Sequence, residues 1–239
     1  MEKVKYIGKC LLIENEEAGK RDKILVIGDI HIGAFGKIGG VDISKRMYDE
    51  MISDFEEIFE RIEKVEKVVI LGDLKHEFSG LTLEERYGLV NLFDYLDKKC
   101  KKIEIIKGNH DNYLLEIVNK RKYIIREYLL LEKYCFLHGD KDFSEIYKKK
   151  IKFWIMGHLH PAVSLRDGVK VEKYKCFLEG KYRDKKIIIL PSFSGIGEGI
   201  DVVNNQSNLA WKFNLMNFRV KIMGENLEVL DFGKVGDLK

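Results

Sequence analysis

Three short apolar runs in the first half of the chain each lead within two residues to a glycine and then polar side chains. They are Ile24–Ile27, Val68–Leu71 and Ile103–Ile106, the last interrupted only by Glu104. Brief runs rich in Ile and Val are typical of strands that are buried on both faces of a sheet. The pattern therefore predicts three strands inside a layered fold, each ending where polar side chains begin.

The segments between these runs repeat their apolar residues every three or four positions, which is the period of an amphipathic helix. The first set is Met47, Met51, Phe55, Ile58, Ile62 and Val65, and the second set is Leu83, Tyr87, Val90, Phe93 and Leu96. A shorter helix is predicted from Tyr113 to Asn119. Strands that alternate with helices predict an α/β arrangement with a largely parallel sheet.

The second half of the chain is richer in strands, and several of them are joined by turn-like segments that favour antiparallel pairing. The predicted strands are Tyr123–Leu131, Tyr134–Leu137, Phe153–Met156, Val171–Leu178, Lys186–Leu190, Leu215–Met223 and Leu227–Phe232. One more strand is predicted at Val4–Ile13 and a short helix at Phe143–Lys150. Two sheets packed face to face, with helices outside, fit this order. We expect one domain over residues 1–239.

Composition and charge narrow the class of protein. The chain has 239 residues and a formal net charge of +3, which is too small by itself to indicate a nucleic-acid-binding protein. Basic clusters occur at Lys98–Lys102, Lys120–Lys122 and Lys148–Lys150. They are either solvated helix ends and loops or a surface that follows phosphates.

Cysteine usage and hydropathy predict a location. The four cysteines form no Cys-x-x-Cys pair, charged residues follow Met1, and no apolar stretch approaches the roughly 18–20 residues of a membrane span. We therefore expect a cytoplasmic protein that does not contact the membrane.

Candidate metal-binding side chains follow the predicted strands. Asp29 and His31 lie two residues apart, so on an extended chain they point the same way and can bind one cation. Further donors at strand ends are Asp73, Asn109, His110, His138, His158 and His160. In layered α/β folds the carboxyl ends of the strands form the ligand-binding edge, so we expect these groups on one rim.

Each motif alone has an ordinary structural explanation. A histidine after a strand is more often a hydrogen-bonded structural residue, Asp73 could cap a helix, and Gly108–Asp111 could form a turn. The ordered recurrence of such motifs after five apolar runs favours a metal centre.

A glycine-rich loop, Gly33–Gly40, follows the first of these motifs. It lacks the Gly-Lys-Ser/Thr ending of a phosphate-binding Walker loop. It is either a flexible surface loop or a loop beside the metal site that brings Lys37 near a substrate phosphate.

Taken together, Asp-x-His, Gly-Asp, Gly-Asn-His-Asp, a solitary His and Gly-His-x-His resemble the calcineurin-like metallophosphoesterase superfamily. The resemblance spans Asp29 to His160. It implies an α/β fold, a four-layer α-β-β-α sandwich of two facing mixed β-sheets flanked by helices, that holds two divalent metal ions. It assigns one ion to Asp29, His31 and His160, the other to Asn109, His138 and His158, and Asp73 to both. His110 would be the catalytic imidazole, with Asp111 orienting it.

One departure from the family pattern and one further similarity narrow the subgroup. Protein phosphatases of this superfamily continue the bridging motif as Gly-Asp-x-x-Asp-Arg, whereas this chain has His76 and Glu77 at the last two positions. That ending resembles the nuclease-related branch, and His76 would support the metal site or contact substrate. Leu190–Gly195 and Gly197–Gly199 are similar to the closing segment of the ligase-associated DNA damage response phosphoesterases.

The resemblance implies a metal-dependent phosphodiesterase, a nuclease that acts on DNA or RNA in repair. Mixed histidine, carboxylate and amide donors suit manganese, iron or zinc better than magnesium or calcium and do not choose among the three. The resemblance to the nuclease-like members of the family favours manganese. Expected partners are nucleic acid and DNA repair proteins; the oligomeric state is not indicated. The alternatives are a phosphoesterase for small molecules (nucleotides, cyclic dinucleotides or phosphomonoesters) and a scaffold without catalysis.

Overall fold

The computed structural model describes residues 3–17, 20–34, 37–38, 41–42, 44–195, 197–203 and 209–238, without the side chains of 16–17, 20–21, 37–38 and 41–42. The α-helices are α1 (Ser44–Ile62), α2 (Leu83–Leu96) and α3 (Leu115–Lys120). The first strands are β1 (Lys3–Ile7), β2 (Cys10–Glu17), β3 (Lys20–Ile27), β4 (Lys37–Ile38), β5 (Val41–Asp42), β6 (Val65–Ile70), β7 (Cys100–Ile106), β8 (Ile125–Arg126) and β9 (Tyr128–Leu131). The later strands are β10 (Tyr134–Leu137), β11 (Phe153–Met156), β12 (Pro161–Asp167), β13 (Lys170–Tyr182), β14 (Lys185–Ile189), β15 (Ile200–Asp201), β16 (Arg219–Met223) and β17 (Val229–Lys234).

The first sheet has the strand order β1-β2-β3-β6-β7-β8. Strands β3, β6, β7 and β8 run parallel, as the alternation of strands and helices predicts, and β1 and β2 add an antiparallel edge. The single strand predicted at Val4–Ile13 is wrong: the chain turns at Gly8, whose φ is +52°, and forms the β1–β2 hairpin. Glycine adopts that backbone conformation without steric cost, so the hairpin turns there.

The second sheet has the strand order β15-β12-β13-β14-β11-β10-β9, and β16 pairs with both β13 and β17. Strands β10, β11 and β14 are parallel, whereas β13 is antiparallel to its partners. Two of the predicted strands, β10 and β11, have the observed bounds. The sequence prediction missed β12, which begins directly after the Gly-His-Leu-His motif. Both sheets are therefore mixed, as the resemblance implies.

Three apolar clusters build the layers. One cluster lies between the two sheets and includes Val26 and Val69 from the first and Phe136 and Ile188 from the second. Another packs the helices against the outer face of the first sheet. Over the outer face of the second sheet, the described residues form 3₁₀ turns and loops, with Trp211 among the packed side chains. The α/β fold with two facing mixed sheets is confirmed.

The helical patterns were only partly right. Helix α1 ends at Ile62, and Val65 instead begins β6. Two residues predicted to face the core from α2 lie outside it: Leu83 is 86% exposed and Tyr87 is 71% exposed. The first turn of α2 instead turns Glu85 inward, because its carboxylate binds backbone N–H groups of the preceding loop.

Two of the three basic clusters, Lys98–Lys102 and Lys148–Lys150, lie away from the carboxyl ends of the strands. Lys98–Lys102 spans the start of β7, about 20 Å along the strand from its carboxyl end. Lys101 and Lys102 in it form ion pairs with Glu66 and Glu104. Lys148–Lys150 likewise precedes β11. These clusters therefore fit a solvated, ion-paired surface better than a surface that leads phosphates to the rim.

Among the helices of the described residues, none is long and apolar enough to cross a membrane.

Candidate metal centre

The predicted donors meet where strands of both sheets end. Asp29 and His31 follow β3, Asp73 follows β6 and Asn109 follows β7, all in the first sheet. His138 follows β10, and His158 and His160 follow β11, in the second sheet. Backbone hydrogen bonds hold the two sheets together here, since the N–H of Phe193 donates to the carbonyl of Gly28 at 2.9 Å. The structure thus brings all seven predicted ligands onto one rim.

Five of these residues adopt a backbone conformation that side chains rarely take. The φ angles are +44° at Asp29, +50° at His31, +50° at Asp73, +66° at His158 and +48° at His160. Such conformations cost on the order of 1 kcal/mol or more each and cluster at functional sites, where the surrounding structure enforces them. The backbone therefore turns sharply after each strand and aims these side chains at one another.

The first donor cluster consists of Asp29, His31, Asp73 and His160, whose candidate ligand atoms lie within 4.8 Å of one another. The Nε2 atoms of His31 and His160 are 3.2 Å apart, and His160 Nε2 is 3.2 Å from Asp29 Oδ1. The Asp29 carboxylate is buried and accepts the backbone N–H of His158 at 3.1 Å. These contacts fix the Asp29 oxygens toward the imidazoles.

The second donor cluster consists of Asp73, His138 and His158. His138 Nε2 lies 3.0 Å from His158 Nδ1 and 3.0 Å from the Asn109 side-chain oxygen, so Asn109 joins this group. His138 Nδ1 donates to the carbonyl of Leu71 at 2.7 Å. Such a hydrogen bond on the far nitrogen orients a histidine ligand and leaves its Nε2 toward the centre.

Asp73 belongs to both clusters. Its Oδ2 is 3.7 Å from His31 Nε2 and 3.4 Å from His138 Nε2. Its Oδ1 accepts the backbone N–H of His110 at 2.9 Å, which holds the carboxylate in place. Gly108 makes room for it, because a Cβ at that position would lie 2.2 Å from Asp73 Oδ1.

The charges of the site are strongly coupled. Burial alone would raise the pKa of the Asp29 carboxyl, but the nearby imidazoles of His160 and His138 hold it below its ordinary value. Burial lowers the pKa of His31 to about 4. His138 is also buried, yet its hydrogen bond to Asp73 and the charge of Asp29 raise its pKa to about 9. Positive charge at this rim therefore stabilises the buried carboxylates. Protons on the imidazoles supply that charge here, and bound cations could supply it instead.

His110 lies beside the clusters. Its Nδ1 hydrogen-bonds the carbonyl of His76, and its Nε2 is 3.9 Å from Asp73 Oδ2. The exposed His76 ring stacks on His110 with centroids 5.5 Å apart, which places it next to the centre as expected of a supporting or substrate-contacting residue.

The contacts of Asp111 are with the backbone, and its expected role in orienting His110 stays a prediction. The Asp111 carboxylate is buried and accepts the backbone N–H groups of Gly108 and Leu74, each at 2.9 Å. Burial and the charge of Asp73 raise its pKa to about 6. The partner of His110 Nδ1 is the His76 carbonyl instead, so Asp111 shapes the loop and acts on His110 only through the backbone.

Lys37 lies in β4, but its side chain is outside the described part of the structure. Its expected contact with a substrate phosphate stays a prediction, as do the individual metal-binding and catalytic roles of the other site residues.

Three contributors were missed by sequence reasoning. The Phe78 ring packs on His110 with centroids 3.6 Å apart. Glu85 is buried and accepts the backbone N–H groups of His76 and Glu77 at 3.0 and 2.7 Å, which fixes the loop that carries Phe78. The spacing Thr82-x-x-Glu85 is a capping box that the sequence does display.

The third is Lys175. Its Nζ donates to Ser192 Oγ at 2.9 Å and to the carbonyl of Ser194. The N–H of Ser194 in turn donates to the Asp29 carbonyl at 3.3 Å. Lys175 therefore fixes a loop that holds the backbone at Asp29. A lysine within β13 carries no local sequence signal for such a contact.

Comparisons with solved structures show the fold. A nuclease, MPE, from Pseudomonas putida is 18% identical, with a TM-score of 0.60 over 92% of this chain and 100% of that one. A zinc-bound Vps29 from Entamoeba histolytica is 16% identical, covering 88% of this chain and 99% of that one, but its TM-score of 0.38 is too low to support an argument. No curated protein matches by sequence.

The family model for the calcineurin-like phosphoesterases matches residues 22–223, a range that includes every predicted ligand. Members of this family are phosphoesterases that depend on divalent metals, in agreement with the donor clusters of the rim. The chain therefore belongs to the calcineurin-like phosphoesterase family.

Proposed function

We propose that this chain is a phosphodiesterase that uses two metal ions to cleave nucleic acid strands. The observation that carries the proposal is the pair of donor clusters that share the Asp73 carboxylate. Asp29, His31 and His160 would hold one ion, Asn109, His138 and His158 the other, and Asp73 both.

The residues present fit such ions. Their donor atoms converge within hydrogen-bonding distance of one another. The Nε2 atoms of His31 and His160, for example, are 3.2 Å apart and pair as donor and acceptor only when one of the two rings carries a proton there. Mixed imidazole, carboxylate and amide donors suit manganese, iron or zinc better than magnesium or calcium. When bound, the two ions would neutralise phosphate charge and supply an activated water.

His110 is placed to handle the proton of the departing oxygen. His110 Nδ1 is hydrogen-bonded to the His76 carbonyl. A proton that the ring donates or accepts during the reaction is therefore on Nε2. That atom lies 3.9 Å from Asp73 Oδ2, on the side of the donor clusters. A phosphodiester held at the rim would receive the Nε2 proton on its leaving oxygen.

Three features support a nucleic acid as the substrate. The Gly-Asp-Leu-Lys-His motif resembles the nuclease-related branch, and the Pseudomonas putida nuclease shares the fold. Exposed aromatic side chains also surround the rim: Phe78 is 53% exposed and Tyr113 is 63% exposed. Exposed rings beside a phosphate-binding site are suited to stack bases. A role in DNA repair, with repair proteins as partners, is the biological setting that the closing motif suggests.

A phosphoesterase for small molecules is the second candidate, and the basic clusters favour it. Lys98–Lys102 lies at the opposite end of its strand from the rim, and Lys101 and Lys102 are ion-paired. A long polyanion would therefore gain little from this cluster.

A substrate panel separates the two candidates. It sets single-stranded and duplex DNA and RNA beside aryl phosphate monoesters and diesters, each with manganese, magnesium, zinc or EDTA. A nuclease should cleave the polymers with a rate that falls as salt rises, because counterions compete for the phosphates bound at the rim. Cleavage of the aryl esters alone would refute the nucleic-acid substrate and leave the small-molecule enzyme.

The His110→Asn variant tests the assignment of the proton. It should lose about 10²–10⁴-fold in kcat, the usual contribution of a general acid, while metal analysis still finds both ions. Loss of bound metal from this variant would show that His110 is a ligand instead.

A further inference from the structure

A cleft of about 390 Å³ opens between the first turns of α1 and α2. Ile32, the residue after the predicted ligand His31, forms part of its wall. The N–H of Ile32 donates to the Leu74 carbonyl at 2.9 Å, directly after Asp73 in the chain. One wall of the cleft is therefore the segment that directly follows His31, hydrogen-bonded to the residue after Asp73.

Two glycines shape this cleft. A Cβ at Gly33 would lie 2.4 Å from Glu85 Cγ, and a Cβ at Gly88 would lie 2.6 Å from Ile32 Cγ2. Helix α2 can therefore lie directly against the segment that follows His31. This close packing holds α2, and with it one wall of the cleft, against the segment that carries His31.

The lining of the cleft is mainly apolar and includes two tyrosines. Tyr48 packs against the helical core and, together with Met51, forms one part of the cleft lining. Tyr87 projects from α2 and is 71% exposed. A tyrosine presents a large flat apolar surface with little conformational freedom to lose, which makes it a good partner for another ring.

A cation lies at the mouth of the cleft. Lys45 is exposed and, within the described residues, forms no ion pair, whereas its neighbour Arg46 pairs with Glu50 at 2.9 Å. The first turn of α1 contains no carboxylate. The amino end of a helix carries partial positive charge, and Lys45 adds a full one beside it. An anion bound near Lys45 would therefore be stabilised by the lysine and by the helix dipole.

We propose that this cleft binds one unpaired base of the substrate strand, the base next to the phosphate that is cleaved. The inference rests on the proposed function, and it adds that the base beside the cleaved phosphate is unpaired. The volume fits a single nucleotide, being near the lower end of the ~300–1,000 Å³ range of ligand pockets. The base lies against Tyr87 and Tyr48, and Lys45 contacts a flanking phosphate.

The substrate is therefore a single strand, or an unpaired nucleotide in a duplex. A paired base is stacked inside the helix and reaches such a cleft only by flipping out, which costs a few kcal/mol. Single strands pay no comparable penalty, so the cleft selects them without reading their sequence.

Binding measured without turnover tests the proposal. A short oligonucleotide that contains the fluorescent base 2-aminopurine is titrated with protein in EDTA, so that nothing is cleaved. Stacking on Tyr87 should quench the fluorescence, and Tyr87→Ala should raise Kd about 5- to 150-fold, which is the usual 1–3 kcal/mol of base stacking on an aromatic ring. Tyr87→Phe should restore both, since the ring remains.

Phe232→Ala is the matched control, because Phe232 is an exposed aromatic residue on β17, outside the cleft. An unchanged Kd and unchanged quenching in Tyr87→Ala would overturn the proposal. A second copy of the chain bound in the cleft would also overturn the proposal. It would be detected, in the absence of oligonucleotide, as a molecular mass of the protein that rises with protein concentration.

Cleavage kinetics separate this inference from the proposed function. With metal added, an abasic residue is moved one position at a time along a single strand. Wild-type protein should lose 5- to 150-fold in kcat/KM, or about 1–3 kcal/mol, at one position beside the cut, and Tyr87→Ala should show no such loss. Cleavage of the strand with no sensitive position refutes the cleft alone, whereas hydrolysis of aryl diesters without any binding of oligonucleotide refutes the nucleic-acid substrate and the cleft with it.

Discussion

Gly157 lies behind a predicted metal ligand, and replacing it with alanine tests the donor arrangement. A Cβ at this position would lie 2.3 Å from Asp29 Oδ2 and 3.1 Å from its Cγ. Ordinary van der Waals contact begins near 3.4 Å, so the carboxylate must move by about 1 Å. Asp29 cannot yield freely, because it is buried and accepts the backbone N–H of His158.

The expected loss follows from the size of that shift. Metal–ligand distances are held to about 0.2 Å, and a displacement of about 1 Å in a catalytic site can cost about 10²-fold in rate. Gly157→Ala should therefore lower kcat/KM on an aryl phosphodiester about 100-fold. It should also lower the content of the ion assigned to Asp29, His31 and His160, while the other ion remains.

Gly80→Ala is the matched control. It is the same substitution, made in a loop near the site, and a Cβ there meets nothing within 4 Å. Metal content is read by elemental analysis, and circular dichroism with thermal unfolding shows whether each variant keeps its fold. A Gly157→Ala protein that is folded, fully loaded and as active as Gly80→Ala would refute the position assigned to Asp29.

Three other substitutions test separate parts of the site. Asp73→Asn should weaken both metal sites at once in elemental analysis; full activity with one ion lost would show that Asp73 does not bridge. Glu85→Gln weakens the hydrogen bonds to the loop at His76 and should lower kcat at unchanged metal content; a change in KM alone would contradict this. Burial lowers the pKa of Lys175 to about 8. As the pH rises, the native state therefore releases that proton before the unfolded chain does. The free energy of unfolding of the wild type, relative to that of Lys175→Met, should rise by about 2 kcal/mol between about pH 8 and about pH 10. An unchanged difference in urea unfolding across that range would refute the buried state of Lys175.

The sequence predicted the metal-binding residues better than the residues that hold them in place. The reason is how far apart in the chain the contacting residues lie. Each predicted ligand lies within a few residues of a strand end, so the local pattern of apolar run and polar turn locates it. Lys175 acts on Ser192 and Ser194 across two strands, and nothing near Lys175 in the chain indicates that contact. Asp111 illustrates the same limit, because its second backbone partner, Leu74, is 37 residues away.

The face of α2 was misread for a related reason. Leu83 and Tyr87 continue the apolar period of the helix toward its start, but the core does not extend that far. At this end the helix meets the segment after His31 through Gly88 and the inward Glu85. The inward positions of this first part of α2 are thus taken by Glu85 and Gly88, and Tyr87 is left at the cleft.

Strand direction explains why charge was a poor guide to the substrate and exposed aromatic residues were a better one. Parallel strands place all their amino ends at one edge and all their carboxyl ends at the other. Lys98–Lys102 precedes its strand and Lys148–Lys150 precedes another, so both lie at the amino edge. Phe78 and Tyr87 lie in the segment after β6, at the carboxyl edge with the donor clusters. Among the described residues, a substrate bound at that edge meets exposed rings and the separate lysines Lys45 and Lys107 instead of a basic cluster. Its affinity should therefore depend more on the number of unstacked bases than on the length of the phosphate chain.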